Sequence, residues 1–430
     1  MNNQIYKGIG TGLQGFYKVA IVDGSTSEVK WQQEEWKKNL ILNQGMEQVY
    51  SSAIVDLMKY GICGQGSRPN NIDSSTSQIT QSGATVFLNV RTGLTDFTSS
   101  GGTTYPAVVQ IGDVIQYSDN SESRVTAVTN GFNLQVTPSY TFTNGKGFVI
   151  WKTSQAGLES EVSRAGTGIV GTQYLVGAGN CGSTDSTVVG NVRTHRRTYD
   201  FAVESIQTTY NEVGVGWATS LASTVFSRIL LDSPIIIDSG YRLRLVYDLQ
   251  TTWNPASASY KTASIGGWPV LPSTNTIGSE SIQVFLTSTV QVSDGASITS
   301  TALLDPYFTS DSSGTPVSIG MFASPTTTVL QTFGSAAARD TNGAYTTTMT
   351  KTAYVVLSSF VDKTGTLSVS QINRSDIRSV GFGRYSSGAS LTPYSATDQG
   401  FCFLFNQSQT KDSSQTLSFT FRTTWSRILE

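Results

Sequence analysis

The chain has one histidine, His195, and histidine is the side chain whose ordinary pKa suits proton transfer near neutral pH. A Ser-His-Asp arrangement needs that base oriented beside a nucleophile. His195 instead sits in the basic run Arg193-Thr194-His195-Arg196-Arg197, and no G-x-S-x-G elbow occurs in the chain. The expectation is an exposed strand or loop histidine without a catalytic role. The three cysteines, Cys63, Cys181 and Cys402, are scattered and odd in number. Zinc sites need clustered ligands and disulfide scaffolds need dense, even cysteines. Three free thiols, no metal and no cofactor are therefore expected, with folding in a reducing cytoplasm.

Carboxylates could do different work. Glycoside hydrolysis uses two carboxyl groups roughly 5–10 Å apart across the scissile bond. Glu159 and Glu161 would share a face if they lay on a strand. Glu34-Glu35, Asp200 with Glu204, and Glu212 are the other acids considered. Nothing in the sequence marks any pair as buried, so no catalytic residue is assigned and the chain is read as a non-enzyme. Loops around Asp119, Asp311 and Asp340 lack the D-x-D-x-D-G spacing of a calcium loop. Gly64-Gln65-Gly66 has no following Lys-Ser/Thr and is not a phosphate loop. Trp253, Tyr260 and Trp268 fall in a Gly/Pro/Ser-rich stretch, 251–275. Loop aromatics make good contact residues, so these three are the candidate ligand or partner contacts, a surface glycan among the ligands.

The elements that carry these residues read as mainly β. Charged residues are only 13% of the chain and the net charge is −2, against ~25% charged in ordinary soluble domains. Thr and aromatics suit a pleated sheet; Gly, Asn and Ser suit turns. Nucleic-acid binding needs clustered Lys and Arg. The one dense basic run has Asp200 and Glu204 beside it and is read as a solvated strand edge, so no nucleic-acid partner is expected. No run of about 18 apolar residues exists to span a membrane, and the start, MNNQIYKGIGTG, has no apolar signal segment.

Along the chain, GFYKVAIVDG and Glu28–Trp36 predict an opening hairpin turned at Asp23-Gly24. Met46, Val49, Tyr50, Ala53, Ile54, Leu57 and Met58 follow helical spacing. They predict one amphipathic helix over about 44–59, with Asn43 as N-cap and Gly61 after its end. Residues 61–80 read as loop. Residues 84–152 read as an inserted small β-barrel or roll, with Asn130-Gly131 as a hairpin turn. Phe226–Leu249 reads as a hairpin with one buried face, turned at Asp238-Ser239-Gly240. Further strands are expected over Ile282–Val292, Ala353–Ser359, Phe401–Phe405 and Leu417–Arg422. The expected fold is mainly β: sandwich or jelly-roll-like modules with one N-terminal helix and the small insert. Residues 1–83 and 153–260 form the main sandwich, and 261–430 a second β-rich region, continuous with it or separate. Phe226-Ser227-Arg228-Ile229-Leu230 is echoed by Trp425-Ser426-Arg427-Ile428-Leu429.

Several of these segments carry a resemblance. Asn39-Leu40-Ile41-Leu42-Asn43-Gln44-Gly45, Gly157-Leu158-Glu159-Ser160-Glu161-Val162-Ser163-Arg164 and Arg197-Thr198-Tyr199-Asp200-Phe201 are three of them. Phe226-Ser227-Arg228 and Gln415–Phe421 with Trp425-Ser426-Arg427 are the others. With these segments the chain resembles virion structural proteins of tailed bacteriophages. None is a catalytic signature, so no site residue carries over. The resemblance implies β-sandwich modules in symmetric rings or trimers, located in the virion after synthesis in the host bacterial cytoplasm. It implies a tail-associated collar, adaptor or fibre component, with copies of itself and other virion proteins as partners. The alternatives are a capsid-surface decoration protein, and a receptor-binding or glycan-cleaving tail protein touching a host surface glycan.

Overall fold

The structure is a computed structural model. It describes residues 9–49, 54–67, 69–91, 96–98, 109–155, 157–165, 174–175, 186–189, 192–218, 224–254, 261–263, 280–286, 318–324, 347–348, 350–351, 360–367, 374–385, 400–411, 413 and 417–429. The chain is mainly β, in curled antiparallel sheets. The opening strands are β1 (Ile9–Asp23), β2 (Val29–Gln32) and β3 (Lys37–Ile41). Helices α1 (Asn43–Gln48) and α2 (Ile54–Leu57) lead to β4 (Tyr60–Gly64). Then come β5 (Asn71–Arg91), β6 (Val114–Tyr117), β7 (Glu122–Asn130) and β8 (Asn133–Trp151). Next are β9 (Glu161–Ala165), β10 (Tyr174–Leu175), β11 (Ser186–Val189) and β12 (Val192–Asp200). The series continues with β13 (Thr208–Gly216), β14 (Val225–Ile237) and β15 (Tyr241–Asn254).

The large sheet runs β10-β12-β15-β1-β3-β14-β13-β4-β9. Its core follows from period-two alternation. Leu243, Leu245, Tyr247 and Leu249 of β15 are fully buried, as are Leu13, Tyr17 and Val19 of β1 to within 1%. Each such side chain contributes about 1.5–3 kcal/mol through burial. The sheet curls because β3 changes partners. Lys37–Asn39 pair with β1, and Leu40 and Ile41 pair with β14. The two arms then face each other across the core, where the Tyr199 ring of β12 lies on Gly61 of β4. A Cβ at Gly61 would fall 2.5 Å from Tyr199 Cγ, so only glycine permits this approach. The Tyr199 hydroxyl donates to Met58 O.

The opening hairpin forms as expected, with a bulge between Ile21 and Val22. Asp23 builds its turn by accepting from the N–H groups of Ser25 and Thr26 at 2.9 and 2.8 Å. The strand Leu417–Arg427 also forms, parallel to β1 through Thr423–Arg427. A separate six-stranded sheet is built from strands between Lys261 and Lys411. It contains Glu280–Leu286 and Gly400–Lys411, where strands were expected. The expected strand Ala353–Ser359 lies outside the described residues.

Four expectations are corrected. The single helix over 44–59 is instead α1 and α2, short pieces on either side of 50–53, which lie outside the described residues. Met46, Val49, Leu57 and Met58 are still buried. Asn43 caps nothing: its Nδ2 donates to Gly112 O at 2.8 Å and its Oδ1 accepts from Arg427. The 61–80 loop is largely strand, since β4 takes 60–64 and β5 begins at Asn71. Phe226–Leu249 is not a hairpin. The turn at Gly240 has φ +89°, but β14 pairs with β13 and β3 while β15 pairs with β1 and β12. The chain there crosses from one arm of the curl to the other, which buries the same alternating residues.

The four-stranded sheet β5-β8-β6-β7 has its own core, including Ile72, Val86, Ile115, Val125, Leu134 and Ile150. β8 is central, pairing with β5 throughout and with β6 and β7 at its two ends. The β7–β8 hairpin forms with Asn130 opposite Asn133, so its two turn residues are Gly131 and Phe132, one position beyond the expected pair. No described helix is long and apolar enough to cross a membrane.

Candidate functional site

The expected contact aromatics do not assemble into a described site. Trp253 has its backbone in β15, opposite Thr11 of β1, not in a loop. Tyr260 and Trp268 lie outside the described residues, as do Asp311 and Asp340.

His195 is 1% exposed, which corrects the expected surface position. β12 is not an edge: β15 pairs with one side and β10 and β11 with the other. Strand alternation then turns His195, Arg197 and Tyr199 to the buried face. Arg196 faces out and pairs with Asp248 through two bonds, 2.7 and 2.6 Å. The Asp248 carboxylate holds the Arg196 pKa up. Asp200, expected beside the basic run, instead receives both forks of Arg244 at 2.6 and 2.8 Å. Glu204 accepts from the Tyr210 hydroxyl at 2.5 Å. Glu159 and Glu161 do not share a strand face. Glu159 precedes β9 and accepts from Ser67 N at 2.6 Å, whereas Glu161 pairs with Arg164 at 2.5 and 3.0 Å.

The acid that matters most is Glu212, whose burial the sequence does not reveal. It lies on β13 and is 0% exposed. Its Oε1 accepts from Gly66 N at 3.0 Å and Ser160 N at 2.8 Å. Its Oε2 accepts from Glu159 N at 3.1 Å and Arg228 Nε at 2.8 Å. Arg228, 0% exposed on β14, reaches on to Asn70 Oδ1 at 3.3 Å and to Gln155 Oε1. The rejected phosphate loop thus has a different job. A Cβ on Gly66 would meet Glu212 Oε1 at 2.4 Å, so the glycine lets backbone close on the carboxylate. The available signal was Arg228, a charged residue inside an apolar strand run. A buried charge needs a partner.

A second buried pair stands at the root of the four-stranded sheet. Lys152 and Asp113 form an ion pair with side chains 2% and 0% exposed. Asp113 also accepts from Ser154 Oγ at 2.6 Å and Gln110 N at 2.8 Å. Backbone bonds close the same joint: Lys152 N donates to Asn70 O at 2.7 Å and Asn43 N to Thr153 O at 2.8 Å. From the other side, Trp425 Nε1 donates to Met46 O at 2.9 Å and Arg427 to Ile41 O at 2.7 Å. Leu42 N donates to Phe226 O at 2.9 Å.

Four of the motif segments therefore lie close together, although they are far apart in sequence. Asn39–Gly45 bonds to Phe226 and to Arg427, and Gly157–Arg164 and Arg228 both bond to Glu212. What this arrangement does chemically is neutralise charge and fix backbone. Among the described residues no group of His, Cys, Asp and Glu is placed to hold a metal ion. Cys63 is a buried free thiol whose pKa burial pushes up. No protein-family model, curated protein or solved structure matches this chain.

Proposed function

We propose that this chain is a structural subunit of a tailed-bacteriophage virion, a non-enzymatic collar, adaptor or fibre component of the tail. It acts by assembling with copies of itself and with other virion proteins. In this reading the large curled sheet is a sandwich or jelly-roll-like module. The 71–151 sheet is a small barrel or roll carried on it, and 261–430 is a second β-rich region. The phage identity rests on the resemblance of the motif segments.

The assembly mechanism rests on one observation. Val203, Ile206 and Ile236 are exposed, Ile206 by 70%, at the sheet end where turns 24–28, 203–207 and 238–240 meet. Val29 and Trp31 are exposed on the adjoining strand β2, which among the described residues pairs with β1 alone. Large apolar side chains held rigidly in water favour burial against another subunit. An open strand edge favours the same outcome. A stable contact would bury ~1,200–2,000 Å².

Gold-labelled antibody on purified virions tests the location, with label expected at the tail or collar. Label over the head favours the decoration alternative. New reducing ends from host polysaccharide favour the glycan-cleaving one. Absence from particles overturns the reading. In solution, Ile206→Asp is expected to shift sedimentation toward the monomer while the circular dichroism spectrum stays unchanged.

A further inference from the structure

Asp113 and Lys152 face each other at the root of the four-stranded sheet. Val114 of β6 pairs with Trp151 of β8 in an antiparallel ladder. Extending that register by one residue sets Asp113 directly opposite Lys152. Residues so opposed share a face and have Cβ atoms about 4.5–5.5 Å apart. Both side chains are buried, 0% and 2% exposed. Backbone bonds fix each of them: Lys152 N donates to Asn70 O at 2.7 Å, and Val125 N donates to Asp113 O at 2.8 Å.

The two oxygens of Asp113 have different surroundings. Oδ2 accepts from Lys152 Nζ and from Gln110 N at 2.8 Å. Oδ1 accepts from Ser154 N at 3.2 Å and from Ser154 Oγ at 2.6 Å. That hydroxyl lies closer to Oδ1 than to its other acceptor, Gln110 Oε1 at 3.1 Å. One oxygen thus faces an amine. The other is held by an N–H and an O–H donor, the arrangement that stabilises the oxyanion of an acyl-transfer intermediate. The Arg427 guanidinium is within electrostatic reach of Asp113 and favours negative charge there. Burying a carboxylate and an ammonium costs desolvation that their attraction barely offsets. Joining them as an amide removes both charges.

We propose that Lys152 and Asp113 join in an intramolecular amide bond, formed by the folded chain itself. The Lys152 ammonium first passes a proton to Oδ2. The neutral amine then attacks the Asp113 carboxyl carbon, and Oδ1 carries the negative charge between the Ser154 donors. As the C–N bond is completed the C–Oδ2 bond breaks. Oδ2 leaves with two of the ammonium protons as water, and no oxidant or other reactant is consumed. Fixed opposition of the two groups supplies the proximity that the step needs. The amide ties the start of β6 to the end of β8 and closes the chain between them into a covalent loop. Such a loop restrains the unfolded state as a disulfide does. The inference goes beyond the assembly reading and does not depend on it.

The mass of the full chain is the test. Wild type, held folded at neutral pH, should weigh one water less than its sequence requires. Digestion should then yield one branched peptide in which Lys152 is joined to Asp113. Lys152→Arg keeps the positive charge but cannot form the amide, and it should show its full sequence mass. Ser154→Ala, with its fold checked by circular dichroism, should lower the linked fraction at a fixed time after synthesis by about tenfold or more. Ser154→Thr, which keeps the hydroxyl, should restore it. Wild type at full sequence mass after days of incubation overturns the proposal, because the two groups are then an ordinary ion pair. A loss of water that persists in Lys152→Arg also overturns it, because the loss arises elsewhere in the chain. Equal linkage in wild type and Ser154→Ala overturns the role given to Ser154. None of these readouts depends on self-association, so this inference and the assembly reading fail separately.

Discussion

Removing the charge of Glu212 strands the Arg228 guanidinium in the interior. Breaking a buried pair by deleting one partner costs about 3–5 kcal/mol. Glu212→Gln is expected to lower stability by that amount in urea unfolding. Glu34→Gln, on an exposed acid, should stay within about 0.5 kcal/mol of wild type. Equal effects of the two would mean that Glu212 is not held as described. At this scale the sequence is least legible. Glu212 is visible as an acid, but its burial depends on Gly66, Ser160 and Arg228, which come from three separate stretches of chain. His195 fails for the same reason. Its exposure is decided by β10, β11 and β15, which pair on both sides of its strand. Nothing local to the basic run encodes those neighbours.

Strands are the elements that the sequence displays well. The alternation in Leu243–Leu249 foretells the buried face of β15, because a half-buried strand imposes a period of two. It does not foretell the strand's partners, and the expected hairpin dissolves into a crossing between arms. The 44–59 stripe has helical spacing, yet the segment holds two short helices. The Trp425 indole takes the Met46 carbonyl there, and such contacts override weak local propensity. Gly61 was legible as a breaker and misread as a helix end. Its role is the close approach of β4 to the Tyr199 ring. Gly61→Ala is expected to lower the thermal midpoint by several degrees, an overpacking cost of about 1–3 kcal/mol. Tyr199→Ala in that background should recover none of the lost packing but should make the Gly61→Ala step nearly neutral. A double-mutant cycle with no coupling would show that the two residues do not touch.

Across the whole molecule, the mainly β class follows from composition and turn residues. The division of labour between sheets does not. The 71–151 sheet has a core of its own, while the large sheet is closed by strands from both early and late sequence. Thr423–Arg427 lie beside Ile9–Leu13 of β1, and Trp425 is buried in the main core with Leu13 and Tyr17. Deleting residues 417–430 should therefore disorganise the large sheet, not merely trim it. Amide exchange should accelerate in β1 and β15 but stay slow in β6 and β8, whose core lacks these residues. Uniform protection in the truncated chain would contradict the pairing. The same pairing places the molecule under a timing constraint during synthesis. At ~5–20 residues per second, roughly 20–80 s separate the emergence of Leu13 from that of Trp425. For that interval one flank of a strand made early stays without its neighbour. The growing chain must stay out of contact with other nascent copies until its last strand arrives, so crowded polysomes are where this sheet is most exposed to mispairing.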